Sequence, residues 1–71
     1  MATVSSGPTI VMLKKIVSNG YHLEAGMEGT WIEEGHDWYG NGGRWEGVKC
    51  RFRLGGEQQE LVVPKSAIRR R

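Results

Sequence analysis

The clearest pattern of apolar and polar positions lies in the last third of the chain. Four apolar residues occupy every second position and three basic residues lie between them: Val48, Cys50, Phe52 and Leu54, and Lys49, Arg51 and Arg53. A period of two is that of a β-strand, so the pattern predicts a strand with one face in the core and the other in water. Cys50 is therefore predicted to be a buried, unreactive side chain.

A glycine pair, Gly55-Gly56, follows this strand. Glycine takes positive φ without steric cost, so the pair is typical of a two-residue β-hairpin turn. Such a turn sets the register, with Cys50 opposite Leu61 and Arg51 opposite Glu60. Apolar residues then meet on one face and opposite charges meet on the other, which stabilises an antiparallel pair.

The residues after this hairpin carry a second turn signal. Pro64 has no N–H to donate to a ladder, so we expect it to end the strand that begins after the glycine pair. Residues 64–67 (Pro-Lys-Ser-Ala) are just enough for a single 3₁₀ turn. A final short strand is then predicted to begin at Ile68.

The longest apolar run lies nearer the N-terminus, at residues 9–17. It is rich in β-branched residues and stops at the turn formers Ser18-Asn19-Gly20, which together predict a strand. A short helix is the alternative, because Leu13-Lys14-Lys15 suits one and periodicity does not separate the two for a short run. The small, polar residues 1–8 predict a disordered N-terminal segment.

The middle of the chain is rich in glycine. Residues 21–25 predict a loop, and residues 26–34 predict a turn that leads into a second strand. Gly26 and Gly29 in this turn are expected to lie where a side chain would clash. Residues 35–43 hold four glycines and an asparagine, which predict a long, mobile connection between strands.

Together these elements predict an all-β chain of four to five antiparallel strands. The long first connection, the Gly-x-x-Gly entry to the second strand and the proline turn resemble a small SH3-like barrel, which residues 9–71 are expected to form as a single domain. The stretch from Tyr21-His22 to Gly26-Met27-Glu28-Gly29 is similar to the variable chain of ferredoxin–thioredoxin reductase, and a small photosystem I protein and KOW modules share this plan. The resemblance implies a non-catalytic accessory or recognition module.

Composition argues against catalysis and metal binding. The chain has one cysteine, which excludes an internal disulfide, and no Cys-x-x-Cys pair that would suggest a zinc or redox site. Four residues offer nucleophile, base or ligand chemistry: His22, His36, Asp37 and Cys50. Both histidines lie in predicted loops while Cys50 is predicted to be buried, so we expect no triad, ligand set, enzyme activity, cofactor or metal.

Length and hydropathy bound the remaining possibilities. The first residues show no signal-peptide pattern, and no stretch reaches the roughly 18 apolar residues of a membrane span, which predicts a soluble, cytoplasmic protein without a membrane partner. A core built from 71 residues is small. Because such a core stabilises a fold by only about 3–5 kcal/mol, a homo-oligomer or a larger complex is compatible with this chain.

Charge is unevenly distributed, although the net charge is only +2. Five carboxylates lie within residues 24–37, a stretch without Lys or Arg, and the later residues supply a predicted basic face: Lys49, Arg51, Arg53, Arg69, Arg70 and Arg71. Such a face can hold a phosphate backbone, with an aromatic side chain stacked on bases, although Glu57 and Glu60 offset part of its field. Nucleic-acid binding by a KOW-like module is therefore the alternative function, and a charged edge strand that resists aggregation is the plainer interpretation.

Four aromatic residues form the predicted partner-binding site: Tyr21, Trp38, Tyr39 and Trp45. They bracket the glycine-rich connection and can line a groove of the kind that barrels use for extended peptides. Trp38 and Tyr39 have no apolar sequence neighbours, so we expect them to be exposed unless the loop folds back on the barrel, whereas Trp31 is expected to pack inside. Exposed Trp and Tyr often mark interfaces. The sequence thus favours a non-catalytic, protein-binding accessory module, such as a small subunit or regulator of a larger complex.

Overall fold

The computed structural model describes residues 7–71, and within them the chain is all-β with one 3₁₀ turn, as predicted. Seven strands follow one another: β1 (Thr9–Met12), β2 (Ile16–Ser18), β3 (Tyr21–Leu23), β4 (Glu28–Gly40), β5 (Gly43–Leu54), β6 (Glu57–Pro64) and β7 (Ile68–Arg70). The 3₁₀ turn, Lys65–Ala67, lies between β6 and β7, which confirms its predicted place before the last strand.

Five of the strands form one antiparallel sheet in the order β6-β5-β4-β1-β7, and β2 pairs separately with β3. The last strand lies beside the first, with Ile68 opposite Met12 and Arg69 opposite Val11. β6 and β7 are the edges of the large sheet. Over residues 7–71 no pairing joins these edges, so the sheet is not closed into a barrel.

The β5–β6 hairpin has the predicted register. Cys50 lies opposite Leu61 and Arg51 lies opposite Glu60. The turn residues Gly55 and Gly56 have φ of 61° and 86°, the left-handed values that this tight turn requires. The alternation of apolar and basic residues therefore determined this part of the fold correctly.

The predicted first strand is instead two strands separated by a bend at residues 13–15. After β1 the backbone leaves the sheet: the Leu13 N–H donates to the Ala67 carbonyl oxygen at 2.8 Å. The chain then forms β2 and returns as β3, so the predicted loop at residues 21–25 is largely a strand. The reason is the turn Asn19-Gly20, where both residues have positive φ and join β2 to β3 in a hairpin.

The predicted long, mobile connection at residues 35–43 is also wrong. β4 continues to Gly40 and turns through Asn41-Gly42, whose φ values of 50° and 75° are again those of a two-residue hairpin turn. Gly35, with φ of 88°, lies at an irregularity in the β4–β5 register between Glu34 and His36. Glycine here permits a bulge and a tight turn within a long β-ribbon.

One cluster of buried side chains forms the core: Ile10, Met12, Ile16, Leu23, Trp38, Val48, Cys50, Phe52, Leu61, Val63, Ala67 and Ile68. Trp31 packs partly buried against it, and the Arg70 guanidinium lies 4.5 Å from the Trp31 ring centroid. A Cβ atom at Gly29 would lie 2.6 Å from the Phe52 ring, so the expected clash is present there. At Gly26 there is open space, and a φ of 89° is what requires glycine.

Backbone pairing extends before Thr9. The Gly7 N–H donates to the Trp31 carbonyl oxygen at 3.0 Å, and the Trp31 N–H donates to the Pro8 carbonyl oxygen at 2.9 Å. Two residues of the segment predicted to be disordered are thus hydrogen-bonded to β4. The other six, residues 1–6, lie outside the described residues.

Candidate functional site

The tip of the β4–β5 hairpin carries three of the four predicted aromatic residues. Trp38 lies opposite Trp45, and Tyr39 lies opposite Arg44. Because successive strand residues point to opposite faces, Tyr39 lies on the other face of this ribbon from the two tryptophans. The fourth residue, Tyr21, is exposed on the separate β2–β3 pair, opposite Ser18. The structure therefore divides the predicted site into parts.

Trp38 is a core residue, contrary to the exposure expected from its sequence neighbours. Only 7% of it is exposed, and its Nε1–H donates to the Val17 carbonyl oxygen at 3.2 Å. The ring covers Gly40, where a Cβ atom would lie 2.3 Å from the indole Cη2. The covering group is β2, which the local sequence around Trp38 does not reveal. Trp38 therefore joins β2 to the hairpin and supports both of its faces.

Trp45 is exposed but held in place. Its Nε1–H donates to the Gly40 carbonyl oxygen at 3.1 Å, and 47% of the residue is exposed. Beside it is a small hollow of about 90 Å³ whose lining includes Trp38 and Pro64. We call this region the Trp45 surface, formed by residues around that hollow: Lys14, Asn41, Trp45, Pro64 and Ser66. An indole fixed in this way is ready for a partner before binding.

Tyr39 lies in a second depression. It is 69% exposed, and Val17, which is 45% exposed, lines the same groove of about 450 Å³. Leu61 on β6 and Trp38 also line it. This depression, called the Val17–Tyr39 groove below, was not predicted, because Val17 was assigned only to a strand. Proximity of β2, β4 and β6 creates it.

The predicted basic face is partly neutralised. Three of its six cations form ion pairs with carboxylates: Lys49 with Glu33, Arg51 with Glu60, and Arg71 with Glu28. Arg70 lies over the Trp31 ring. Arg53 and Arg69 have no ion pair with any residue in the described range, and they lie on different strands. The field that this face can offer to a phosphate chain is correspondingly reduced.

The four residues considered for catalysis do not converge. Cys50 is in the core, whereas His22 is exposed on β3 opposite Val17. The His36 Nε2 lies 3.0 Å from Glu33 Oε1. This hydrogen bond, with the charges of His36 and Lys49, lowers the pKa of Glu33. Among residues 7–71 no three His, Cys, Asp or Glu side chains are grouped to hold a metal ion.

Labelling of Cys50 tests the burial of this β5 face. The residue is fully buried, and this burial raises the pKa of its thiol from an ordinary 9.0 to about 11, because desolvation disfavours the thiolate. The thiolate is the reactive form, so a thiol reagent should label the native protein slowly and the unfolded protein fast. Stopped-flow or mass-spectrometric labelling with and without denaturant measures both rates. Equal rates would show that Cys50 is accessible in the native state.

No protein-family model, curated protein or solved structure matches this chain. No helix in the described part of the chain has the length and apolar character to cross a bilayer. The functional argument therefore depends on the chain's own exposed residues. Of these, Trp45 on one face of the hairpin and Tyr39 with Val17 on the other are the large apolar groups nearest to a depression.

Proposed function

We propose that this chain is a non-catalytic protein-binding module whose Trp45 surface binds an extended segment of its partner. The observation that carries the proposal is a half-exposed indole held by its own hydrogen bond and flanked by an apolar hollow. Tryptophan is enriched among the residues that dominate binding energy. An indole that is already ordered loses little conformational freedom when a partner covers it.

We also propose that the domain follows the SH3-like plan. Three features support this: the five-strand order with the last strand beside the first, the long connection between β1 and β4 that holds the β2–β3 hairpin, and the 3₁₀ turn after Pro64. Domains of this kind bind extended, proline-rich segments in aromatic-lined grooves. Trp45 and Pro64 line the corresponding apolar hollow in this chain. The module then serves as a small subunit or regulator of a larger complex.

The charge distribution favours protein over nucleic acid. The ion pairs of Lys49, Arg51 and Arg71 place carboxylates on the face that would meet a phosphate chain. Phosphate-driven binding needs several cations acting together, and it weakens steeply with salt. Arg53 and Arg69 are the cations of this face that remain for the alternative function.

Substitution of Trp45 by alanine should remove partner binding while keeping the fold. We expect peptides selected from a displayed random library to bind the unaltered domain, and Trp45→Ala to weaken that binding by about 2 kcal/mol or more, roughly 30-fold in Kd. Isothermal titration with one selected peptide measures the change. Tyr21→Ala is the matched control, since it removes an exposed aromatic residue from another strand and should leave the Kd unchanged.

A nucleic-acid arm separates the two functions. Binding of fluorescent single-stranded oligonucleotide should be weak in the unaltered domain and insensitive to Trp45→Ala. Tight, salt-dependent binding that Arg53→Gln and Arg69→Gln abolish would reject the protein-binding proposal in favour of the basic face. A library that yields no peptide dependent on Trp45 would reject the Trp45 surface itself.

A further inference from the structure

One edge of the large sheet is open for pairing. The Ser18 hydroxyl donates to the Val62 carbonyl oxygen at 2.6 Å, so this oxygen points away from β5. Backbone groups two residues apart in an antiparallel strand point the same way. The N–H and C=O of Gln58 and Glu60 therefore also point away from β5. Pro64 has the same parity, so the N–H that it lacks would have faced outward.

These outward backbone groups have no partner strand. β6 pairs only with β5, and no other backbone hydrogen bond within residues 7–71 reaches Gln58 or Glu60. An edge of this kind is a template for an added strand, with main-chain hydrogen bonds that supply affinity. β2 covers this edge only near Val62, through the Ser18 side chain.

The Val17–Tyr39 groove lies beside this open edge. Glu60, Leu61 and Val62 of β6 line the groove together with Val17 and Tyr39. A strand added to β6 would therefore have its side chains next to an exposed valine and an exposed tyrosine. Alternate side chains of an added strand supply specificity when pockets receive them. The groove fits apolar side chains at such positions.

The edge and groove are acidic. Asp37 and Glu60 line the groove, which has no Lys or Arg in its lining, and Glu57 begins β6. Glu57 has no ion pair with any described residue, and Asp37 is held only by a loose contact of 3.9 Å with Arg44. A second copy would bring its own Glu57 and Glu60 to these carboxylates, and like charges in adjacent strands are destabilising. A basic segment is complementary instead.

We propose that the β6 edge and the Val17–Tyr39 groove form a second binding surface, which takes a basic extended peptide by strand addition. The peptide alternates Lys or Arg with apolar residues, so that its charges meet Asp37, Glu57 and Glu60 while its apolar side chains enter the groove. This surface is distinct from the Trp45 surface and does not depend on it.

Two synthetic peptides test the proposal: acetyl-KVKVKVKV-amide and acetyl-EVEVEVEV-amide. In isotope-edited NMR titrations the basic peptide should shift the amides of Gln58 and Glu60 and the Trp38 indole, and it should bind at least about tenfold more tightly than the acidic peptide. Failure of both peptides to bind at millimolar concentration overturns the proposal, and so does equal binding. A dimer with the β6 amides in its interface would also overturn it, because the occupant would then be a second copy.

The variant Gln58→Pro removes one outward N–H and leaves the charges and the β5–β6 ladder in place. It should weaken the basic peptide by about tenfold, since one main-chain hydrogen bond and the close approach of the strand are lost. Trp45→Ala is the matched control and should leave this binding unchanged, whereas its loss would assign the peptide to the Trp45 surface. A basic peptide methylated at alternate backbone nitrogens gives the same test on the unaltered domain, and undiminished binding would exclude strand addition.

Discussion

Replacement of Trp38 by alanine is expected to destabilise the fold by about 3–5 kcal/mol, the usual cost of deleting a large core side chain. The ring is buried, covers Gly40 and donates to Val17, so its loss leaves a cavity and an unpaired carbonyl. A domain of this size has roughly that much stability in total. Circular dichroism should therefore show Trp38→Ala to be largely unfolded at room temperature, or to unfold at much lower denaturant concentration.

Two variants make this test specific. Trp45→Ala removes the same side chain from the directly opposite position, but Trp45 is half exposed, so it should lose much less stability. Trp38→Phe keeps a large ring but removes the N–H, and it should cost about 1 kcal/mol for the hydrogen bond together with a smaller packing loss. If Trp38→Ala and Trp45→Ala unfold at the same denaturant concentration, Trp38 does not connect β2 to the hairpin core.

Gly29→Ala is expected to destabilise the domain by about 1–3 kcal/mol, the usual cost of overpacking a core. The new Cβ atom would lie 2.6 Å from the Phe52 ring and 2.8 Å from the Arg51 carbonyl oxygen. The ring can move, but the backbone of the neighbouring strand yields only by disturbing the sheet. Denaturant titration of the variant and the unaltered domain measures the difference in the free energy of unfolding.

Gly43→Ala is the control for this substitution. Gly43 is also in a strand without positive φ, and its nearest atom is the Trp45 Nε1 at 3.8 Å, so alanine should be neutral or slightly stabilising there. The double variant Gly29→Ala with Phe52→Leu should cost less than the sum of the two single changes, because the smaller side chain leaves room for the methyl group. Additive costs would mean that the clash with Phe52 is not the cause.

Local patterns determined the β5–β6 hairpin. The period of two across Val48 to Leu54 and the turn Gly55-Gly56 act over neighbouring residues, so register, burial of Cys50 and the pair of Arg51 with Glu60 were all readable from the sequence. The 3₁₀ turn after Pro64 was readable for the same reason.

The sequence also contained two hairpin signals whose meaning was obscured by the glycines around them. Asn19-Gly20 and Asn41-Gly42 each form a two-residue turn with positive φ at both residues. A high density of glycine predicts a loop when the residues are counted, but the Asn-Gly order predicts a tight turn between strands. Residues 21–23 and 36–40 are therefore strands rather than loops.

Only the tertiary structure decided which aromatic residues are available to a partner. Trp38 is buried by Val17, which is 21 residues earlier in the chain, and the open β6 edge is marked by a bond between Ser18 and Val62, 44 residues apart. Neither contact leaves a periodic signal, because each depends on where the β2–β3 hairpin packs. By itself, the sequence determined the strand types and one register through local backbone geometry. Long-range packing decided which faces remained exposed, and so placed both candidate binding surfaces.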